Sequence, residues 1–414
     1  MHSAVPDGSQ PMMPDEVTIE SVALPGRTGA FRVTLRGGTI GAIRPAEQTG
    51  EAAWLALPGF ANLHAHADRA YTVQSFRPRS LADAVAAAAA ARALFTAADV
   101  AARATRLFER SVEHGVTRIR THTDVDPVVE MRSMEGVLAA KQGMGERLDV
   151  DVIAFSTSKN DLAEPHGLDR LERAVAMGAD LIGASLNASA DPSRALESLF
   201  DLAEQSGLPV DLHLDEHLEP DHMLAGMVAD AVIERGLQGR VTLSHLCVLA
   251  TLGAAAASAL IEKLARAGVT VVALPAANLF LQDRGERSPV RRGVTLVREL
   301  LAAGVPVRCG TDNIRDWFYP FGDGDMLETA LFAAVAGHLD KSADLVGAIC
   351  GGRRTIAEGE PADLVLLPAS SLDDALARRP AGRVLFKGGR QVAGPRWPVS
   401  AAHGAQRSVV IEGN

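Results

Sequence analysis

Pro58-Gly59-Phe60-Ala61-Asn62-Leu63-His64-Ala65-His66-Ala67-Asp68 is the stretch on which the fold turns. The apolar run Trp54 to Leu57 leads into it, and Phe60, Leu63 and the small residues beside them read as a buried strand. Residues two apart on a strand face the same way, so His64 and His66 leave its end on one side. Two imidazoles so placed can grip one metal ion, with Asp68 orienting them from behind. A strand end that merely carries two histidines is the plainer reading, and the rest of the chain decides between the two.

Outward from that stretch, a strand-then-helix unit repeats. Candidate strands are Leu57 to His64, Thr117 to Thr123, Val150 to Ser156, Asp180 to Leu186, Pro209 to Leu214, Arg240 to Leu246, Val269 to Pro275 and Val305 to Asp312, eight in all. Between them lie amphipathic or alanine-rich helices, with start signals at Ser80-x-x-Asp83 and Thr96-x-x-Asp99 and stops at Gly115, Gly178 and Gly304. Eight alternations over roughly 250 residues fit a TIM-type (β/α)8 barrel better than a doubly wound open sheet. Such a barrel puts its chemistry at the C-terminal ends of its strands.

The flanks have another texture. Residues 17–57 alternate in the strand manner, as in Phe31 to Arg36, and strand-like runs return at Ala362 to Leu367 and Arg383 to Gly389. A small β-sandwich domain of 17–57 and 358–400, around a barrel of 58–357, is the expected organisation, with tails at 1–16 and 401–414. The first tail is rich in Pro, Gly and Ser, lacks the features of a secretion signal, and reads as disordered.

Composition narrows the function. The 414 residues are 47% hydrophobic with a net charge of −10, enough for a buried core and the wrong sign for nucleic acid or an anionic membrane. Three cysteines without a CxxC suit a reducing compartment, so a cytoplasmic location is expected. The run Ala84 to Leu94 is too short and too weakly apolar to cross a bilayer and reads as a helix. Oligomeric state carries no readable signal, and a homo-oligomer is compatible with the sequence.

The reactive residues fall where a barrel would gather them. His213 ends the fifth candidate strand, His245 the sixth and Asp312 the eighth. A lone histidine at a strand end is more often structural than a ligand, but five such groups on four strands, all aimed at one mouth, reverse that. Three imidazoles and a carboxylate, His64, His66, His213 and Asp312, suit one divalent ion, Zn or Fe, and leave room for a water. Glu216 is placed as proton shuttle and His245 as hydrogen-bond partner of the developing oxyanion. Asn313, Trp317, Phe318 and Thr157 are the expected substrate-binding residues, with Arg315 also expected at the pocket and Gln282 and Arg284 as further candidates. His122 is equally readable as structural or functional, and Cys247 and Cys309 read as packing groups.

These motifs carry a resemblance. His64-Ala65-His66-Ala67-Asp68, Thr121 to Val125, His213-Leu214-Asp215-Glu216, Ser244-His245, and Thr311-Asp312-Asn313 followed by Trp317 to Gly322 resemble the cytosine deaminase branch of the amidohydrolase superfamily. The resemblance implies a barrel with one divalent metal that hydrolyses an exocyclic amino group from a small nitrogen heterocycle. It places the metal and shuttle positions on the residues just named. Where cytosine deaminases carry a substrate-recognising glutamine after the third strand, this chain reads Phe155 to Asn160, which puts cytosine itself in question. The link 351–362 is short and is expected to loosen the junction with the second sandwich segment.

The close rival is a hydrolase of N-substituted heterocycles of the triazine type, releasing an alkylamine, which Asp312 to Trp317 and Asp323 to Met326 resemble equally. Two-metal relatives need a lysine ending the fourth strand, and Leu181 to Asn187 has none. The Cys-containing zinc deaminases are excluded by the lack of CxxC. A non-catalytic binding barrel is disfavoured by the intact ligand set with Glu216.

Overall fold

The computed structural model describes residues 16–47, 52–73, 75–284 and 291–398. The expected tails 1–16 and 401–414 lie outside these residues, except that Glu16 opens the first strand. The strands in chain order are β1 Glu16–Ala23, β2 Phe31–Arg36, β3 Thr39–Pro45, β4 Trp54–Pro58, β5 Phe60–Ala65, β6 Val116–Val125, β7 Asp149–Ser156, β8 Leu181–Ala184, β9 Val210–Leu214, β10 Val241–His245, β11 Thr270–Ala273, β12 Val307–Cys309, β13 Leu364–Leu367, β14 Val384–Lys387 and β15 Arg390–Ala393.

Strands β5 to β12 form an eight-stranded parallel sheet in sequence order, with helices between the strands. The sheet closes as a TIM-type barrel through an isolated bridge between Ala65 and Asp312. The helix starts read from the sequence are used as caps: Ser80 Oγ accepts from Asp83 N and Thr96 Oγ1 from Asp99 N, each at 3.2 Å. The apolar run near residue 84 is the helix Leu81–Arg92, and no described helix is long and apolar enough to cross a membrane.

The first barrel strand starts later than expected. Leu57 and Pro58 belong to β4, which pairs with β1 and β13. The chain changes sheets at Gly59, whose N–H donates to Asp363 O, while Phe60 N–H donates to Gly115 O in the barrel, both at 2.9 Å. A Cβ at Gly59 would stand 2.4 Å from the Thr117 side chain, so only glycine fits this crossover. The eighth strand is likewise short: it stops at Cys309, and Asp312 sits beyond it at φ 59°.

The strands of both termini share one sheet, ordered β15-β14-β13-β4-β1-β2-β3, which bends back where Thr39 bridges Pro361. It wraps its own core of Ile19, Val33, Leu35, Ile40, Leu364, Leu366 and Phe386. Contrary to expectation, the 351–362 link is tied down. Arg353 donates to Glu360 at 2.8 Å and to Asp363 O at 3.1 Å, and Arg383 grips Asp325 with two bonds of 2.7 Å.

Candidate metal centre and pocket

The closure of the barrel builds the centre. Asn62 Nδ2 donates to Thr311 Oγ1 at 2.8 Å, Thr311 N–H to Asn62 Oδ1 at 3.0 Å, and Asp312 N–H to His64 O at 2.8 Å. These bonds lock the end of the eighth strand onto the first. The approach is so close that a Cβ on Gly310 would lie 2.6 Å from His64 Cβ. Asp312 and His245 both adopt left-handed backbone, φ 59° and 75°, a conformation found more often for Asp and His than for most side chains and frequent at functional sites.

Three imidazoles and one carboxylate meet there. His66 Nε2 lies 3.2 Å from His213 Nε2 and 3.3 Å from Asp312 Oδ1, and His64 Nε2 lies 3.5 Å from the same oxygen. Ligands on arms of about 2.1 Å at tetrahedral angles would be about 3.4 Å apart, so these spacings suit one divalent ion. Within the chain alone, His64 Nε2 and Asp312 Oδ2 are buried without a hydrogen-bond partner. Burial holds the pKa of all three histidines well below the ordinary value, so they stay neutral with lone pairs available. The donor set fits a divalent metal.

His64 is steadied from behind. Its Nδ1 lies 2.9 Å from Ser244 Oγ, Ser244 Oγ donates to Asp211 Oδ1 at 3.2 Å, and Arg120 donates to Asp211 Oδ2 at 2.8 Å. With Nδ1–H donating to the hydroxyl, Nε2 carries the lone pair that faces Asp312. His122 joins this group, its Nε2 3.4 Å from Asp211 Oδ1 and its ring tilted on His64 at 4.0 Å. Asp68 corrects the expectation made for it: its carboxylate accepts from Asp124 N–H at 3.0 Å rather than from a ligand histidine. Burial, then the charge of Asp124, raises its pKa to about 7. The reason is geometric, because the chain turns after His66 and carries Asp68 toward β6.

Glu216 and His245 stand beside the cluster. Glu216 Oε1 is 3.7 Å from His245 Nδ1, and burial followed by the nearby Asp312 charge pushes the Glu216 carboxyl up to about 8. Its backbone is fixed by Gln282, whose Nε2 donates to Glu216 O at 2.6 Å. Gln282 therefore braces the shuttle residue and does not line the cavity, and Arg284 donates to Pro78 O instead. Burial lowers His245 to about 4, and its Nε2 has no partner within the chain. Cys247 and Cys309 are fully buried, which raises both thiols, and neither lines the cavity.

A cavity of ≈ 650 Å³ opens from this centre. Thr157, Asn313 and Phe318 line it, together with His66, His213, Glu216, His245 and Asp312. Trp317 does not: it faces a separate cleft with Tyr71, Leu94 and Arg106, and Arg315 is also off the cavity, its Nε donating to Gly322 O at 3.2 Å. Adjacent residues in an irregular loop point apart, and here Phe318 takes the cavity side, with the Arg69 guanidinium 4.7 Å over its ring.

The sequence reading missed the opposite features of the wall. Arg69 reaches Asp124 at 3.2 Å and Asp316 at 3.3 Å, and Arg92 reaches Asp124 at 2.8 Å and Asp126 at 3.1 Å. The helix itself was expected, but not that Leu81–Arg92 turns Ala82, Val85, Ala86 and Ala89 to the cavity. Their spacing of three and four was a legible signal of one helical face.

Comparison with known proteins agrees with this architecture. The model of the amidohydrolase family matches residues 79–393. A pterin deaminase of Rhizobium rhizogenes is 33% identical over 350 residues, 81% of this chain and 80% of the relative. The structure of a 5-methylcytosine deaminase from Klebsiella pneumoniae liganded with 5-fluorocytosine superposes with a TM-score of 0.83 at 26% identity, covering 94% of this chain and 99% of the other. An N-isopropylammelide isopropylaminohydrolase from Burkholderia multivorans gives 0.77 at 28% identity, covering 92% and 98%. The chain belongs to the amidohydrolase family, on its deaminase branch, and is a hydrolase of carbon–nitrogen bonds.

Proposed function

We propose that this amidohydrolase removes the exocyclic amino group of a flat, pterin-like or pyrimidine-like heterocycle by hydrolysis, releasing ammonia. The observation that carries the reading is the convergence of His64, His66, His213 and Asp312 at 3.2–3.5 Å, with Glu216 and His245 on the cavity side. His64, His66, His213 and Asp312 would hold one zinc or iron ion, which when bound supplies a Lewis acid and eases deprotonation of a water.

The chain's own groups divide the proton work. Asp312, whose carboxyl His66 and the other neighbours keep low despite burial, accepts a proton from the attacking water. Glu216, protonated at neutral pH, donates to the ring nitrogen next to the carbon under attack. His245 donates from Nε2 to the oxygen as charge develops there. Asp312 passes the proton it took to the amino nitrogen, the C–N bond breaks and ammonia leaves, and the remaining hydroxyl proton goes to the emptied Glu216 carboxylate as the water oxygen becomes a ring carbonyl. Thr157, Asn313 and Phe318 border the ring, and Arg69 fixes Phe318.

A second reading, cleavage of an N-alkyl group as an amine, is supported by the Burkholderia relative and by the small side chains of helix Leu81–Arg92, which leave room for a substituent. Incubation of metal-reconstituted protein with amino-heterocycles and N-alkyl triazines separates the two. Ammonia from one ring class supports deamination. Alkylamine without ammonia supports the second reading, and neither product with metal bound overturns both.

A further inference from the structure

Cations and acids are unevenly spread around the cavity. Three basic side chains line it: Arg69, Arg92 and Lys159. Both arginines are neutralised by buried carboxylates, Asp124 and Asp316 for one, Asp124 and Asp126 for the other. Lys159 is different. It is exposed at the solvent edge of the cavity, and its ammonium has no ion pair or hydrogen bond among the described residues. The acids that line the cavity, Glu216 and Asp312, both stand at the metal centre.

The lysine is carried on a fixed loop. Thr157 Oγ1 donates to Asp126 Oδ2 at 3.0 Å, Lys159 N–H donates to Thr157 Oγ1 at 3.2 Å, and Asn160 Nδ2 reaches Gly167 O at 3.0 Å. This loop follows β7, the third barrel strand. A cation held on an ordered backbone at the rim, with no charge among the described residues to answer it, is available to a ligand charge. The cavity volume of ≈ 650 Å³ lies within the usual range for ligand sites, about 300–1,000 Å³.

We infer that the preferred substrate is an amino-heterocycle that bears a carboxylate on the side away from its amine, and that Lys159 is the specificity-determining residue that pairs with that carboxylate. The inference rests on the aminohydrolase reading. One ammonium without an arginine fork beside it matches a single negative charge, which favours a carboxylate over a phosphate.

The test compares rings with and without a carboxylate placed away from the amine: pterin with pterin-6-carboxylate, and 1-methylcytosine with 1-carboxymethylcytosine. Dissociation constants by calorimetry and ammonia release are both read for wild type, Lys159→Ala and Lys159→Glu, all metal-loaded. Wild type should favour the carboxylated member of one pair by about threefold to tenfold, as a partly desolvated ion pair would, with the preference falling as salt is raised. Lys159→Ala should erase the preference and Lys159→Glu reverse it. An equal preference in wild type and Lys159→Ala, or a preference for the uncharged rings in wild type, overturns the assignment, as does tighter binding of a phosphorylated ring. Carboxylate-selective binding without ammonia from any ring would leave Lys159 in place and sink the aminohydrolase reading alone.

Discussion

At the inner end of the cavity, side chains from the ends of four barrel strands meet in groups whose donor atoms lie within 4.8 Å of one another, nearly all fully buried, and His64 is held from behind by Ser244. At the outer end, the wall is one face of an alanine-rich helix and an irregular loop, with an exposed lysine on it. The inner end is braced: Asn62, Thr311, Ser244 and Asp211 fix where His64 and Asp312 stand. The outer end holds little except space and one charge. The difference teaches that the reaction and the choice of substrate are built on separate parts of the barrel, so each can be damaged without the other.

The strongest test of that separation is His213→Ala. Losing one of three imidazole donors is expected to remove both the bound metal and all turnover, while leaving the fold intact by circular dichroism. Metal analysis beside an activity assay checks it. If the variant kept its metal, His213 would not be a ligand and the inner end would be less determined than its geometry suggests.

Glu216→Gln sharpens the comparison by breaking chemistry without breaking the centre. The amide keeps shape but cannot give up a proton, so kcat is expected to fall about 10²–10⁴-fold with metal content unchanged. The pH profile gives an independent reading. Because burial and the Asp312 charge raise Glu216 to about 8, the acid form is present below that pH and lost above it. The wild-type rate should therefore decline as pH rises through about 8, and the residual rate of Glu216→Gln should lack that limb.

Ser244→Ala probes the support behind the donors. Without the hydroxyl, His64 Nδ1 loses its partner at 2.9 Å and Asp211 loses its link to the ring. Metal affinity should drop roughly 10–100-fold, measured by competition with a chelator. An unchanged affinity would mean that barrel closure alone orients His64.

How much of this was readable in advance follows the same division. The barrel was legible because its period of strand and helix is a property of local patterning, and His64, His66, His213, His245 and Asp312 were legible because strand ends in a barrel share one mouth. The crossover at Gly59 was not, since Trp54 to Ala61 is uniformly apolar and only the partners of Pro58 and Phe60 reveal two sheets. Asp68 and Trp317 were misplaced for a related reason: each lies past a strand end, where a side chain's direction depends on the turn taken. Arg69 and Arg92 escaped notice because their buried partners Asp124, Asp126 and Asp316 come from other elements. Pairings of that kind are written in space and leave no spacing in the chain.

The smallest expected effect lies on the outer wall, at Ala86. Its helix buries Ala84, Ala88 and Arg92 against the barrel and turns Ala82 and Ala86 outward to the cavity, where both are exposed. Leucine is nearly as good a helix former as alanine, so Ala86→Leu should cost little stability. It adds bulk on a helix that carries none of the proton-transfer groups. Added apolar bulk of this kind shifts discrimination by about 1–3 kcal/mol at most sites, and the open rim places Ala86 at the lower end of that range. The expected result is a fall of about threefold to tenfold in kcat/KM for a fused two-ring substrate against a single six-membered ring, carried by KM and with metal content unchanged. Equal losses on both rings would put the substrate's narrow edge against this helix, and a fall in kcat alone would couple the outer wall to the chemistry that the architecture keeps apart from it.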